Sequence, residues 1–294
     1  VMPAQDNLFT RKMTAACHVL NGYGKTTGLL QIQELGYLET PVALTNTLNV
    51  GLVSDGLIEY TLEQCREQDT EITSINPVVA ECNDSRINAI ALRAIKQQHV
   101  LQAIAQADKE FAEGAIGGGM VCFGLKGGIG SASRKFRLDE KEYTLGILVQ
   151  SNFGSLEELR IAGKQIGLEI QEALMQSSEP EKGSVIAVVA TDAPLSDRQL
   201  TRVLRRVPVG LARLGSYTGH GSGEVFIGFS TAQRWATEEK SDILTMNVLR
   251  EESLDLLFLA VADAAEEAVL NSMVTAEATI GRNYETFHSL KEFL

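Results

Sequence analysis

The chain has 294 residues, of which 44% are hydrophobic and 22% charged, and its formal net charge is −12. That length suits one large domain or two small ones and can bury a sizeable core without disulfides or metals. The acidic balance argues against a nucleic-acid surface, which needs clustered Lys and Arg to neutralise phosphates.

Segments 28–36 and 40–47, bounded by Gly and Pro, read as short strands. Residues 57–69 can form a helix. Residues 87–113 read as a long helix with Ile87, Ile90, Ala94, Leu101, Ile104, Ala107 and Phe111 roughly on one side. GAIGGG at 114–119 is a plausible helix stop, 120–125 a strand, 126–133 a tight Gly-rich turn and 141–151 a strand running into a loop. A second long helix is expected over 155–177. The polar, Pro-containing stretch 177–183 reads as an exposed linker. SVIAVVA at 184–190 is a continuous apolar, β-branched run, the pattern of a buried strand. A helix follows over 196–207 with Leu200, Val203, Leu204 and Val207 inward, ended or kinked at Pro208. Residues 224–230 form another strand. Residues 254–272 form an amphipathic helix with Leu254, Leu257, Phe258, Val261, Ala265 and Ala268 inward. No repeat and no shift in composition divides the chain. Helices packed on stacked sheets are the simplest way to bury these faces.

Several motif classes fail. Cys17, Cys65, Cys82 and Cys122 are scattered and read as reduced thiols, and His18, His99, His220 and His288 are dispersed, so no metal or other cofactor is expected. GYGKTT at 22–27 lacks the first P-loop glycine, because Val19 stands there. GAIGGG has helix before and strand after, the reverse of a dinucleotide fingerprint. No apolar run reaches the roughly 18–20 residues that cross a bilayer.

Four stretches can carry chemistry. In KGSVIAVVA, a polar loop enters Gly183–Ser184 and then a rigid strand. Glycine leaves its carbonyl open and reaches backbone conformations other residues avoid. A cut before Ser184 would create one residue holding a hydroxyl and an α-amine, whose pKa of about 7.7–8.0 suits a base near neutrality. In GSGEVFIGFST, Ser222 and Glu224 point to the same side of an extended chain, so the carboxylate can polarise the hydroxyl. Asn152, just past a strand end, can donate to an oxyanion. Glu81, in PVVAECND, can hold a substrate ammonium. Taken singly, each is equally readable as a turn, a loop amide or a surface acid.

Together with HVLNGYGKTTGL, ELGYLETPVALTNT, GGIGSASR, LGILVQSNFG and EEAVLNSMV, these stretches cover nearly the whole chain, which resembles the L-aminopeptidase/D-esterase family of self-processing β-aminopeptidases. The resemblance implies an α/β chain folded as a four-layer αββα sandwich, similar to N-terminal nucleophile hydrolases with different strand connectivity. It implies one domain, 1–294, that cuts itself into fragments 1–183 and 184–294. It implies release of N-terminal residues from short peptides, aminoacyl amides or esters without a cofactor, and homo-oligomers of cleaved protomers with neither nucleic-acid nor membrane partners. By position, Ser184 matches the nucleophile, Gly183–Ser184 the cleavage bond, Ser222 and Glu224 the residues assisting the nucleophile, Asn152 an oxyanion donor, and Glu81 part of the substrate-amine pocket. Arg86 stands where some members place a tyrosine of the oxyanion site, which puts a cation beside the substrate. A cytoplasmic location is expected, with a periplasmic one open because the family has several dozen more residues before the point where this chain begins. Two other classes fit the same pattern: a self-processing acyltransferase of the ornithine acetyltransferase type, for which threonine is the usual nucleophile, and an inactive assembly protein of the same fold.

Overall fold

The computed structural model describes residues 1–4, 6–177, 181–238 and 240–294, with Lys182 described by its backbone alone. The strands are β1 Arg11–Gly22, β2 Tyr37–Leu38, β3 Val42–Asn46, β4 Val78–Cys82, β5 Val121–Cys122, β6 Leu125–Lys126, β7 Ile129–Leu138, β8 Lys141–Asn152, β9 Lys182–Thr191, β10 Gly221–Ala236, β11 Thr279–Ile280 and β12 Thr286–Phe287. The helices are α1 Leu29–Leu35, α2 Val50–Glu67, α3 Gln97–Ala105, α4 Gly167–Leu174, α5 Asp197–Leu204, α6 Val207–Arg213 and α7 Leu254–Val274.

The main sheet has the order β2-β1-β10-β9-β8-β7. Its β9–β10 pair is parallel and its other pairs are antiparallel. The apolar run at 184–190 becomes β9, which is buried on both faces because it lies in the middle of this sheet. Alternation then sorts its side chains. Val185, Ala187 and Val189, with Phe226 of β10, meet Leu200, Leu211, Leu257 and Val261 from α5, α6 and α7. Ile186 and Val188, with Val225 and Ile227, meet Val78, Ala80 and Cys82 of β4. The parallel pair β3–β4 forms the second sheet layer, and its far face packs Val79 on Val50, Val53 and Leu57 of α2 and Val100 of α3. Helices, sheet, sheet and helices therefore stack in four layers. Burying each large aliphatic side chain in these cores contributes about 1.5–3 kcal/mol.

Several expected boundaries move. Segment 28–36 is helix α1, closed at both ends by glycines with left-handed φ, Gly28 at 85° and Gly36 at 68°. β1 had no counterpart in the pattern reading. The helix expected over 87–113 is only α3 with a 3-10 turn at Ile90–Leu92, because the apolar positions serve different partners. Ile87 packs with Val121 and Phe287, and Arg93 turns the chain with φ 46°. The helix expected over 155–177 shrinks to α4, preceded by left-handed Ala162 and Gly163. The Gly-rich turn at 126–133 is instead strand β6 leading into β7. Glycine there serves close packing: a Cβ on Gly130 would lie 2.0 Å from the Ala268 carbonyl oxygen of α7. Pro208 sits in the first turn of a separate helix, α6, where its missing N–H costs nothing. Ser196 and Gln199 cap α5 reciprocally. The stretch read as a linker, 177–183, lies partly outside the described residues; its last three positions are described below.

Candidate active site

Ser184 is 5% exposed and lies near the start of β9, opposite Asn152 of β8 and Gly223 of β10. Residues opposite one another share a face, so the Ser184 side chain points into the space between the two sheets. Gly223 keeps that space open. A Cβ on it would stand 3.0 Å from Ser184 Oγ and 2.7 Å from the backbone nitrogen of Gly24, which follows β1. The Cys82 thiol donates to the Ser184 carbonyl oxygen at 3.4 Å. Burial pushes that thiol well above its ordinary pKa, which keeps it a protonated donor.

Gly183 has φ 117°, a conformation that an L side chain rarely adopts. A Cβ there would fall 1.9 Å from the Asn152 carbonyl oxygen and 3.2 Å from Asn152 Nδ2. The Asn152 amide is fixed in orientation by its partners. Its Oδ1 accepts from the Val121 N–H at 2.9 Å, and its Nδ2 donates to the Asn83 carbonyl at 3.0 Å. A backbone donor on one end and a backbone acceptor on the other leave no alternative assignment. One amide hydrogen remains beside Gly183.

Ser222 and Glu224 are both fully buried. Ser222 Oγ donates to Glu224 Oε1 in a short hydrogen bond, and Glu224 Oε2 has no partner among the described residues. Burial pushes the Glu224 carboxyl up to about 7, and the nearby Glu181 charge adds to the rise, while the Ser222 hydrogen bond opposes it. Alternation along β10 puts this pair on the opposite face from Gly223, and Ser222 stands opposite Gly183. The pair therefore flanks the Gly183–Ser184 peptide from the helix side, whereas the Ser184 hydroxyl lies on the other face.

Glu81 on β4 is 2% exposed. It accepts from the Lys25 backbone N–H at 2.8 Å and, in a short hydrogen bond, from Thr47 Oγ1. Its Oε1 lies 3.7 Å from where a Gly24 Cβ would be, so the loop at Gly24 sits between this carboxylate and the Ser184 hydroxyl. Arg86 follows β4. Its guanidinium pairs with Glu285 at 3.8 Å and lies 5.4 Å from the Phe287 ring, against the β11–β12 hairpin. The β11–β12 hairpin thus supplies a carboxylate and a ring to Arg86, and a place beside the substrate remains an expectation for it.

Three residues went unread in the sequence. Glu181 is buried within the run taken for a linker. Asp84, 4% exposed, accepts from Asn46 and Asn88 at 2.9 Å each and keeps Oδ1 without a partner among the described residues. Gly24 brings its backbone nitrogen against Gly223, beside the nucleophile. The only available signal was position: Asp84 completes the ECND stretch, and Gly24 sits in NGYGKTTG. Among the described residues no group of three or more His, Cys, Asp or Glu could hold a metal ion, and no helix is long and apolar enough to cross a membrane.

The arrangement offers a buried serine hydroxyl between the two sheets, an oriented amide beside Gly183, a carboxyl pushed up to about 7 on the other face of the main sheet, and a second buried acid, Glu81, across the Gly24 loop. These are the parts of acyl transfer to serine. The profile of peptidase family S58 matches residues 1–287. The β-peptidyl aminopeptidase BapA of Sphingosinicella microcystinivorans is 37% identical over 286 residues, spanning 92% of this chain and 71% of that protein. Among solved structures, the PH0078 protein from Pyrococcus horikoshii OT3 is 44% identical with a TM-score of 0.93, covering 99% of this chain and 82% of that one. The L-aminopeptidase D-Ala-esterase/amidase from Ochrobactrum anthropi, described as a new variant of the Ntn hydrolase fold, is 32% identical with a TM-score of 0.88, covering 95% and 78%.

Proposed function

The chain belongs to peptidase family S58, and we propose that this aminopeptidase first cuts its own Gly183–Ser184 bond and then uses Ser184 as an N-terminal nucleophile. One observation carries the reading. The peptide before Ser184 is held in a left-handed conformation that glycine alone tolerates well, with an oriented amide on one face and a buried carboxyl on the other.

In the first stage a bond forms between Ser184 Oγ and the Gly183 carbonyl carbon, and the bond from that carbon to the Ser184 nitrogen breaks. The hydroxyl proton ends on the departing nitrogen. The remaining amide hydrogen of Asn152 donates to the developing oxyanion. Water then hydrolyses the ester, leaving the Gly183 carboxylate and a free Ser184 α-amine. In the second stage the hydroxyl attacks the carbonyl of a substrate's first residue and the α-amine takes its proton; the bond from that carbonyl to the leaving amine or alcohol breaks, the proton passes to the leaving group, and water then hydrolyses the acyl-serine to release the first residue. Ser222 and Glu224, lying on the far face by the peptide, orient that amine and are kept from the hydroxyl by the sheet itself. Glu81 receives the substrate ammonium.

The relatives named a β-peptidyl aminopeptidase and an L-aminopeptidase D-Ala-esterase/amidase support peptides, aminoacyl amides or esters as the substrate class. A serine nucleophile and aminopeptidase relatives do not favour the acyltransferase reading. The test is intact-mass spectrometry of the recombinant chain beside Ser184→Ala. Fragments 1–183 and 184–294 in the first, one uncut chain in the second, and loss of aminoacyl-amide hydrolysis in the second are expected. Cleavage that persists in Ser184→Ala refutes the assignment.

A further inference from the structure

Glu181 stands two residues before Gly183 and is 3% exposed. Its carboxylate accepts from Ser216 Oγ at 2.6 Å and from the backbone N–H groups of Tyr217 and Gly219 at 3.2 and 3.1 Å. Its own backbone N–H donates to Tyr217 Oη at 2.9 Å. All four bonds go to one turn, 216–219, which leads directly into Ser222 and Glu224 of β10. A buried carboxylate with three donors is a strong, directional anchor, and moving it would strand a charge away from water.

The scissile peptide is thus tethered on both sides. Downstream, Ser184 is fixed in the sheet between Asn152 and Gly223. Upstream, only Lys182 separates the anchor from Gly183. The turn itself is held from another strand, since Asn21 Nδ2 of β1 donates to the Gly219 carbonyl at 3.0 Å. A glycine at φ 117° in a freely moving segment would relax to other conformations, because glycine populates many. Two fixed ends that close together leave it no such freedom, which is how strain at a reacting bond is maintained.

We propose that Glu181 is a positioning residue for self-cleavage, clamping the chain to the 216–219 turn so that Gly183 keeps the conformation that presents its carbonyl to Ser184. The inference rests on the self-cleavage proposed above. Glu181 neither gains nor loses a proton in the step; the bonds made and broken are those at the Gly183 carbonyl. Once the bond is cut, the clamp is no longer connected to the nucleophile through the chain. It therefore acts directly on the first stage, and reaches turnover only indirectly, through the 216–219 turn and its charge near Glu224.

The test follows the uncut fraction by mass spectrometry after cell-free synthesis of the full chain, with Glu181→Gln and Glu181→Ala beside the parent and Ser184→Ala. Misplacing a reacting group by an ångström costs up to about 10²-fold, so the Ala variant is expected to cut roughly 10- to 100-fold more slowly. The Gln variant keeps one acceptor oxygen and is expected to fall between. After long incubation has cut the Gln variant to completion, its KM on an aminoacyl amide should match the parent's and its kcat should fall by much less than the cutting rate does. Cutting of both variants at the parent's rate overturns the proposal. So does slow cutting accompanied by an equal loss of kcat in the fully cut Gln variant, which marks a general loss of structure. A parent chain that stays uncut, like Ser184→Ala, refutes the self-cleavage reading itself and is distinguishable from both.

Discussion

Gly183→Ala tests most directly whether backbone geometry drives the first stage. A Cβ at this position would stand 1.9 Å from the Asn152 carbonyl oxygen, and real Cβ contacts essentially never fall below 3.0 Å. β9 must then move at least 1.1 Å from β8 at this point, or Gly183 must leave its φ of 117°. Either response withdraws the carbonyl from Ser184 Oγ. Holding an L side chain in such a conformation costs about 1–3 kcal/mol, and an ångström of misplacement costs up to about 10²-fold in rate. Self-cleavage of Gly183→Ala is therefore expected to be about 10²-fold slower, followed as loss of the intact mass after cell-free synthesis. Gly221→Ala is the control. It lies opposite Lys182 in the neighbouring strand, has nothing within 4 Å of its Cβ position, and should cut at the parent's rate. If Gly183→Ala keeps pace with Gly221→Ala, the left-handed glycine does not present the bond and the reasoning fails.

Glu224 titrates at about 7 in the fold against an ordinary 4.5, so the folded state favours its neutral form. The stability linked to that preference is complete below about pH 4.5 and is lost as pH rises through about 7. Melting temperatures of Ser184→Ala should show this decline, and adding Glu224→Gln should flatten it; equal pH slopes in the two chains would count against the burial argument. Arg86→Ala removes a half-exposed pair with Glu285, so kcat/KM on aminoacyl amides should change by less than about fivefold. A larger drop in steady-state kinetics would place Arg86 at the site.

The layers were legible where one pattern served one partner. Val185–Ala190 is apolar on both faces because it is central, and Leu254, Leu257, Val261, Ala265 and Ala268 of α7 were legible because all of them enter one core. The pattern misled where neighbouring apolar residues serve different partners, as Ile87 does with Phe287 while Val100 packs on α2. Glycine runs misled differently: Gly130 marks close approach to a helix and not a turn. For the site, Ser222 and Glu224 were readable as a pair because two residues set their relation. Their side of the sheet relative to Ser184 was not, since it depends on the parallel register of β9 with β10. Glu181 was hidden because its partners lie 35 residues or more away, and a buried acid reads the same as a solvated one.

The strand order has a consequence for the protein's history as a folded object. β9 and β10 occupy the middle of the sheet, with β1 and β2 on one side and β7 and β8 on the other. A cut between residues 183 and 184 leaves the first fragment contributing both outer flanks and the second nearly all of the centre, so the halves of the first piece meet in this sheet only through the second. One polypeptide can build that order by an intramolecular search. Two polypeptides must find each other while β1, β8, β9 and β10 each lack one neighbour, and every exposed sheet edge invites the wrong one. The proposed cut would thus turn a fold that is reached at equilibrium into one that persists because it was assembled before it was divided.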